Sequence, residues 1–271
     1  MSCVGGCAAG IWVVRPHNPY NRQTDYLLAT TGSLMAFTDL SWRTFRPSEG
    51  FYTSEVHTPE RLPIRTFLPT GYEPNYAYPL LVFFHGHGGN EEQILRLAPR
   101  VSRRNFICLG LRGKEFLGAR TDGSPSYSWG TDGSCDAQTE DYILSAIEQT
   151  RRNYHVHSER IYLAGICEGA AYAYRVGLTF PDKFAGIISL NGTLPPRGTM
   201  FLRPADIRQL KVFIGHGIAN AVVPLGMAKS DWRLLYTAGM DVRMHTYPAT
   251  NRLHPDMLRD INRWVIEMCN E

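Results

Sequence analysis

Residues 161–171 read Ile161-Tyr162-Leu163-Ala164-Gly165-Ile166-Cys167-Glu168-Gly169-Ala170-Ala171. An apolar run broken by glycine, then a second glycine opening a stretch of small residues, predicts a strand, a sharp turn and a helix with Cys167 at the apex. The glycines suit that geometry, because strand and helix close on each other beside a strained apex and leave little room for a Cβ. A turn of this kind presents a nucleophile. Its usual occupant is serine, and here the apex carries sulfur.

The flanking segments repeat strand and helix. Upstream, residues 79–84 are a continuous apolar run, expected as a central strand buried on both faces, ending in His85-Gly86-His87-Gly88-Gly89-Asn90. A helix is expected over 91–98 and a second buried strand over 105–109. Residues 112–135, rich in Gly, Ser, Asp and aromatics, read as a long loop at the mouth of a site. Residues 136–152 place Tyr142, Ile143, Ala146 and Ile147 on one helical face. Downstream, Phe180-Pro181 ends the helix after the turn, and strands are expected over 184–190, 211–214 and 241–247 with a helix over 225–238. A last helix from Pro255 carries Met257, Leu258, Ile261, Trp264, Val265 and Met268 at helical spacing. Two further strands, 51–57 and 62–68, flank Thr58-Pro59-Glu60. Such alternation predicts an α/β fold, a mostly parallel sheet with helices on both faces, as one domain over 51–271. Residues 1–50 show no strong period and read as an extension that packs on the domain or on a partner subunit, a route to a homo-oligomer.

Composition narrows the classes. With 271 residues, 44% of them hydrophobic, one domain can bury a large core. The net charge of +3 is small and the basic residues are dispersed, which argues against nucleic acid as a partner. No run approaches the ~18 apolar residues of a membrane span. The cysteines, Cys3, Cys7, Cys108, Cys135, Cys167 and Cys269, show neither a C-x-x-C pair nor metal-ligand spacing, so no metal, cofactor or disulfide framework is expected. The N-terminus lacks a basic leader, so the expected location is the cytoplasm, where Cys167 stays a free thiol.

From about residue 60 onward the chain resembles the α/β-hydrolase superfamily, within it the phospholipase/carboxylesterase and dienelactone-hydrolase-like branch. Four motifs in order carry the resemblance: His85-Gly86-His87-Gly88-Gly89 at the oxyanion loop, Gly165 to Gly169 at the nucleophile elbow, His216-Gly217 with Val222-Val223-Pro224 at the acid loop, and Tyr247-Pro248 through His254-Pro255-Asp256-Met257-Leu258 at the segment bearing the family's histidine. The resemblance implies a triad in the chain order nucleophile, acid, histidine. The pattern H-G-x-x-D-x-x-V-P places the acid at Asn220, and Y-P-x-G-H places the histidine at Asn251. All three positions therefore depart from Ser-Asp-His. Cysteine at the elbow resembles dienelactone hydrolases; a carboxamide at the base position has no such parallel, because it takes up no proton near neutral pH.

The oxyanion donors implied by the resemblance are backbone groups, the N–H of Glu168 and an N–H of the 86–88 loop, assigned to His87. The end of the following helix favours a sulfur anion at Cys167, and the carboxylate of Glu168 opposes it. An unassisted thiol near pKa ~8.5 is only a few per cent thiolate at pH 7. Loss of the catalytic histidine in a serine protease costs about 10⁶ in turnover. His254, three residues past Asn251, is the candidate substitute base, with a structural role at the loop–helix junction as its alternative. His85, Gly86, Gly88 and His216 stand at strand ends on the elbow side of the sheet, as pocket residues or as structural ones. Asn220 and Asn251 are expected to hydrogen-bond each other across the former acid and base positions. Two functions follow: a protein of carboxylesterase lineage with weak or lost hydrolysis that keeps an acyl/oxyanion pocket for a small acyl or ester ligand, or a working Cys-dependent ester or thioester hydrolase whose base is His254 or another pocket histidine.

Overall fold

The apolar runs become strands: β1 (Gly50–Glu55), β2 (Pro63–Leu68), β3 (Tyr78–Phe84), β4 (Ile107–Leu111), β5 (Glu115–Ala119), β6 (Pro125–Ser128), β7 (Val156–Ile166), β8 (Gly186–Leu190), β9 (Lys211–Gly217) and β10 (Asp241–Tyr247). Between them lie α1 (Glu91–Leu95), α2 (Ala98–Val101), α3 (Ala137–Asn153), α4 (Glu168–Thr179), α5 (Leu225–Thr237) and α6 (Pro255–Asn270). This computed structural model describes residues 47–57, 61–130, 137–195 and 205–270. The expectations for residues 1–46 and their role in self-association, and for the Thr58-Pro59-Glu60 turn, lie outside that set. The chain divides into Met1–Asp39 and Leu40–Glu271, and everything described belongs to the second unit.

Eight strands form one sheet in the order β1-β2-β4-β3-β7-β8-β9-β10. β1 runs antiparallel to β2 and β2 antiparallel to β4, whereas every pair from β4 to β10 is parallel. Side chains alternate across it. Leu80, Val82 and Phe84 of β3 and Leu163 of β7 join the core under α3, α4 and α5, while Leu81, Phe83, Tyr162 and Ala164 join the core under α1, α2 and α6. Both faces of β3 are thus dry, which accounts for its unbroken apolar run. Each such side chain contributes about 1.5–3 kcal/mol of burial. In α6 the buried residues are Met257, Leu258, Ile261, Trp264 and Val265, the stripe read from spacing. The result is the α/β-hydrolase fold.

Three expectations are corrected. Residues 112–135 are not all loop: β5 and β6 pair as an antiparallel hairpin. Its turn is Thr121-Asp122-Gly123-Ser124, where Asp122 Oδ1 accepts from the Ser124 amide at 3.0 Å and the Ser124 hydroxyl at 2.6 Å. The single helix over 91–98 is two short helices, because Pro99 carries no N–H to continue the first into the second. The second buried strand lies at Ile107–Leu111, two residues later than read, since its register follows Leu80 to Phe84 of β3.

Candidate functional site

β7 ends at Ile166, α4 begins at Glu168, and Cys167 turns the chain between them with φ 52° and ψ −115°. A non-glycine residue there costs on the order of 1–3 kcal/mol, and its surroundings hold it in place. The Cys167 N–H donates to Leu190 C=O at 2.9 Å, tying the apex to the end of β8. A Cβ on Gly169 would stand 2.3 Å from Phe84 O and 2.5 Å from His85 O, and one on Gly165 would stand 2.2 Å from Gly169 O. The two glycines are therefore demanded by contact with β3 and with α4. Cys167 itself is partly exposed.

The loop after β3 lies against this apex: a Cβ on Gly86 would meet Cys167 Cβ at 3.4 Å. The loop is pinned from behind by the hairpin. Gly88 N–H donates to Tyr127 C=O and Tyr127 N–H to Gly89 C=O, both at 2.9 Å, and Gly89 N–H donates to Gly86 C=O at 2.9 Å. The Arg120 guanidinium donates to Gly88 C=O at 2.9 Å, and Trp129 Nε1–H to His85 C=O at 2.9 Å. Asn90 caps α1 through Gln93 N–H at 2.8 Å and donates to Pro125 C=O at 2.8 Å. Among the described residues the amides of His87 and Glu168 donate to no protein acceptor.

Asn220, past β9, and Asn251, past β10, form a relay of carboxamides that ends at the sulfur. Asn220 Oδ1 accepts from the amides of Val222 and Val223 at 3.0 and 3.1 Å. That fixes which way its carboxamide faces, so Nδ2 points to Asn251 and donates to its Oδ1 at 3.4 Å. Asn251 in turn presents Nδ2–H to Cys167 Sγ at 4.0 Å, the outer limit of such a contact. Every donor in this chain points toward the sulfur. In a Ser-His-Asp triad the donors point the other way, from nucleophile to imidazole to carboxylate. The chain here can solvate a sulfur anion; it cannot remove a proton from a thiol.

The histidines divide by their partners. His85 is buried; its Nε2 accepts from Gly113 N–H at 2.8 Å and its Nδ1–H donates to Gly86 C=O at 2.8 Å, so both nitrogens are committed. Burial pushes this imidazole below its ordinary value. His216 is buried and donates from Nε2 to Val223 C=O at 2.8 Å, closing the acid loop. His254 accepts from Asp256 N–H at 3.3 Å and stacks on Tyr247, 6.1 Å between centroids, and makes no hydrogen bond to the sulfur. His87 is the exposed one, at 61% of its side chain, with Nδ1 3.4 Å from Glu168 Oε2.

Three contributors were missed by sequence reasoning. Ser128 donates its hydroxyl to Glu168 Oε1 at 2.7 Å. Asn191, at φ 53°, accepts from Gly217 N–H at 2.8 Å and donates to Arg252 C=O at 3.3 Å, joining acid loop and last loop. Trp129 backs the oxyanion loop. Only the Asn191-Gly192 pair carried a local turn signal; the other contacts span 40 and 44 positions. Among the described residues no group of His, Cys, Asp and Glu could hold a metal ion, and no helix is long and apolar enough to cross a membrane.

Comparison with known proteins bears on the family and the fold. The profile of the Phospholipase/Carboxylesterase family matches residues 73–269. Acyl-protein thioesterase 1 of Mycosarcoma maydis is 28% identical over 211 residues, spanning 67% of this chain and 87% of that protein. Acyl-protein thioesterase 1 of Gibberella zeae is 37% identical over 93 residues, 33% of this chain and 40% of that protein. Among solved structures, Arabidopsis thaliana SOBER1 superposes with a TM-score of 0.61 at 16% identity over 71% of this chain and 100% of that one. A thermostable esterase does so with a TM-score of 0.59 at 21% identity over 80% and 62%. At these identities the structural likeness speaks for the fold alone.

Proposed function

The chain belongs to the phospholipase/carboxylesterase family, and we propose that it retains that lineage's acyl-receiving half while its ester hydrolysis is weak or lost. The acyl-receiving half is Cys167 at the elbow, facing the amides of His87 and Glu168 as oxyanion donors. The hydrolytic half needs a group that activates water, and the position that should supply it is Asn251. The observation that carries this reading is the orientation of the two carboxamides: with Asn220 Oδ1 held by two backbone amides, Asn251 can only donate to the sulfur. A thiolate attacks an acyl carbonyl, and the resulting thioester then waits for a base-activated water that Asn251 does not provide.

The ligand is an ester or thioester with an apolar acyl chain. Ile218 and Val222, on either side of Asn220 in the acid loop, expose 55% and 64% of their surface. Apolar side chains left in water beside a polar cradle suit a fatty or aromatic acyl group. The names of the acyl-protein thioesterase relatives agree with a thioester ligand.

Mixing the protein with p-nitrophenyl acetate tests the proposal. The expected result is one equivalent of nitrophenol per chain, an acetyl group on the Cys167 peptide, and little turnover afterwards. Rapid multiple turnover would refute it, whether or not Cys167→Ala abolishes that turnover.

A further inference from the structure

We propose that His87 and Glu168 form a proton-handling pair over Cys167, with His87 as the base for acylation and Glu168 as the residue that positions it. This rests on the reading of Cys167 as the acyl acceptor and names the group that makes its acylation feasible; fast turnover after the burst, with the same imidazole acting on water, would count against slow hydrolysis and not against this pair.

The argument starts from a carboxylate oxygen. Glu168 follows the apex and is only 14% exposed. Its Oε1 accepts the Ser128 hydroxyl at 2.7 Å, and that hydroxyl is itself held by Gly130 N–H at 3.1 Å. Its Oε2 is fully buried and accepts no well-formed hydrogen bond. A buried, charged acceptor without a donor is costly, so this oxygen calls for an N–H in reach. The group within ion-pair distance is His87 Nδ1, at 3.4 Å. A small rotation of an exposed ring closes that gap, and contacts of this kind commonly tighten only when a substrate is bound.

The pairing also sets the tautomer. With Nδ1–H turned to Glu168 Oε2, the lone pair of His87 sits on Nε2, and Nε2 has no partner among the described residues. This is the division of labour that a carboxylate–imidazole–nucleophile arrangement requires. The other site histidines do not offer it: His85 has both nitrogens committed, the unpartnered Nδ1 of His216 is fully buried, and His254 takes the Asp256 N–H on Nδ1 and so carries its proton on Nε2. A Cβ on Gly86, the residue before His87, would lie 3.4 Å from Cys167 Cβ, so the loop that carries the ring runs beside the elbow residue.

The step balances without a further reagent. Cys167 Sγ attacks the acyl carbon, its proton passes to His87 Nε2, the bond from the acyl carbon to the leaving oxygen or sulfur breaks, and His87 returns the proton to the leaving group. The products are an S-acyl Cys167 and a free alcohol or thiol. Asn251 Nδ2–H, aimed at the sulfur, steadies the transient thiolate that forms.

The charged and titratable groups around His87 are Glu168 of α4, the Arg120 guanidinium on Gly88 C=O from the hairpin, neutral His85 in the same loop, and behind it the Glu91–Arg112 ion pair. Cys167 at the apex completes the set. Of these, Glu168 is the one aimed at the ring.

The experiment follows the p-nitrophenyl acetate burst and the acetyl mass on the Cys167 peptide for the natural chain, His87→Gln and Glu168→Gln, from about pH 5 to about pH 8, where imidazole titrates. His87 is exposed, and glutamine at 168 keeps an oxygen for Ser128, so both variants should fold. His87→Gln should slow the burst about 100-fold and remove its imidazole-dependent limb. Glu168→Gln should slow it less, because the ring loses the carboxylate that holds its tautomer, and Glu168→Asp should recover part of the rate. A burst in His87→Gln with the rate and profile of the natural chain overturns this pair while leaving acylation of Cys167 standing. A natural chain whose Cys167 never gains an acetyl group fails the acyl-acceptor reading itself, and this pair with it.

Discussion

Replacing Asn220 with Asp and Asn251 with His together should add steady turnover to the single burst proposed for this protein. The gain can be worked from the carboxamide geometry. Aspartate at 220 keeps one oxygen on the Val222 and Val223 amides, at 3.0 and 3.1 Å, and sets the other where Nδ2 now stands, 3.4 Å from the side chain of residue 251. Imidazole reaches further than a carboxamide, so Nε2 comes within hydrogen-bond range of a sulfur that Asn251 Nδ2 now meets at 4.0 Å. A positioned acid–base group is worth about 10² to 10⁴ in rate, roughly 3 to 5 kcal/mol of barrier. The single changes should give far less. With Asn251→His alone, Asn220 Nδ2–H donates to the imidazole Nδ1 and forces the proton onto Nε2, the tautomer that cannot accept from the thiol; the corresponding carboxamide in a serine protease costs about 10⁴. With Asn220→Asp alone, Asn251 flips its amide, offers Nδ2–H to the carboxylate, and still provides no base. The assay is steady-state p-nitrophenyl acetate hydrolysis after the burst, with melting temperatures as a control. Two results would refute the reasoning: Asn251→His alone matching the pair, which would mean the Asn220 carboxamide is free to flip, or a well-folded double variant with no gain in turnover.

Gly169→Ala should destabilise the fold by about 1–3 kcal/mol or more, read as a lower urea midpoint, because its Cβ would lie 2.3 Å from the Phe84 carbonyl oxygen, a backbone atom that cannot step aside. Glu91→Gln should cost about 2–3 kcal/mol, toward the low end for a broken buried pair, since Arg112 remains 22% exposed and keeps its place over the Tyr127 ring at 4.6 Å; an unchanged midpoint at pH 7 would show that the pair contributes nothing. Thiol labelling of the native protein should modify Cys167 and spare Cys108, whose complete burial pushes its thiol far up; equal labelling would mean that β4 opens readily. Desolvation works against the Asp260 carboxylate, yet the Tyr247 hydroxyl at 2.7 Å and the His245 ring at 3.3 Å hold it below its usual range. A depressed acid stabilises the fold above its unfolded pKa of ~3.9 and loses that contribution as pH falls through the folded value, so the stability deficit of Tyr247→Phe should be largest near neutral pH and shrink in strong acid.

Local pattern was enough for elements whose burial depends on neighbours in sequence. The run from Pro79 to Phe84 suited a strand dry on both faces, α6 wore its stripe from Met257 to Val265, and the glycines at 165 and 169 marked where strand and helix had to touch. The hairpin of β5 and β6 was missed although Asp122-Gly123 signalled a turn, because its strands are mostly exposed and short, and such strands lack the alternation that burial imposes. The start of β4 was misplaced because its register is set by β3, across a sheet contact that leaves no trace in its own residues. Chain order together with spacing pointed to Cys167, Asn220 and Asn251 as one constellation. What no linear reading supplied was direction: whether the carboxamides donate toward the sulfur or away from it depends on two amides of Val222 and Val223 claiming one oxygen of Asn220. Nor did it join Ser128 to Glu168, 40 positions apart, or bring His87 to the same carboxylate. The sequence by itself determined which chemical groups this protein owns and the fold that gathers them. Only the tertiary structure decided which atom of each group faces which, because hydrogen bonds are directional and their partners come from distant turns of the chain.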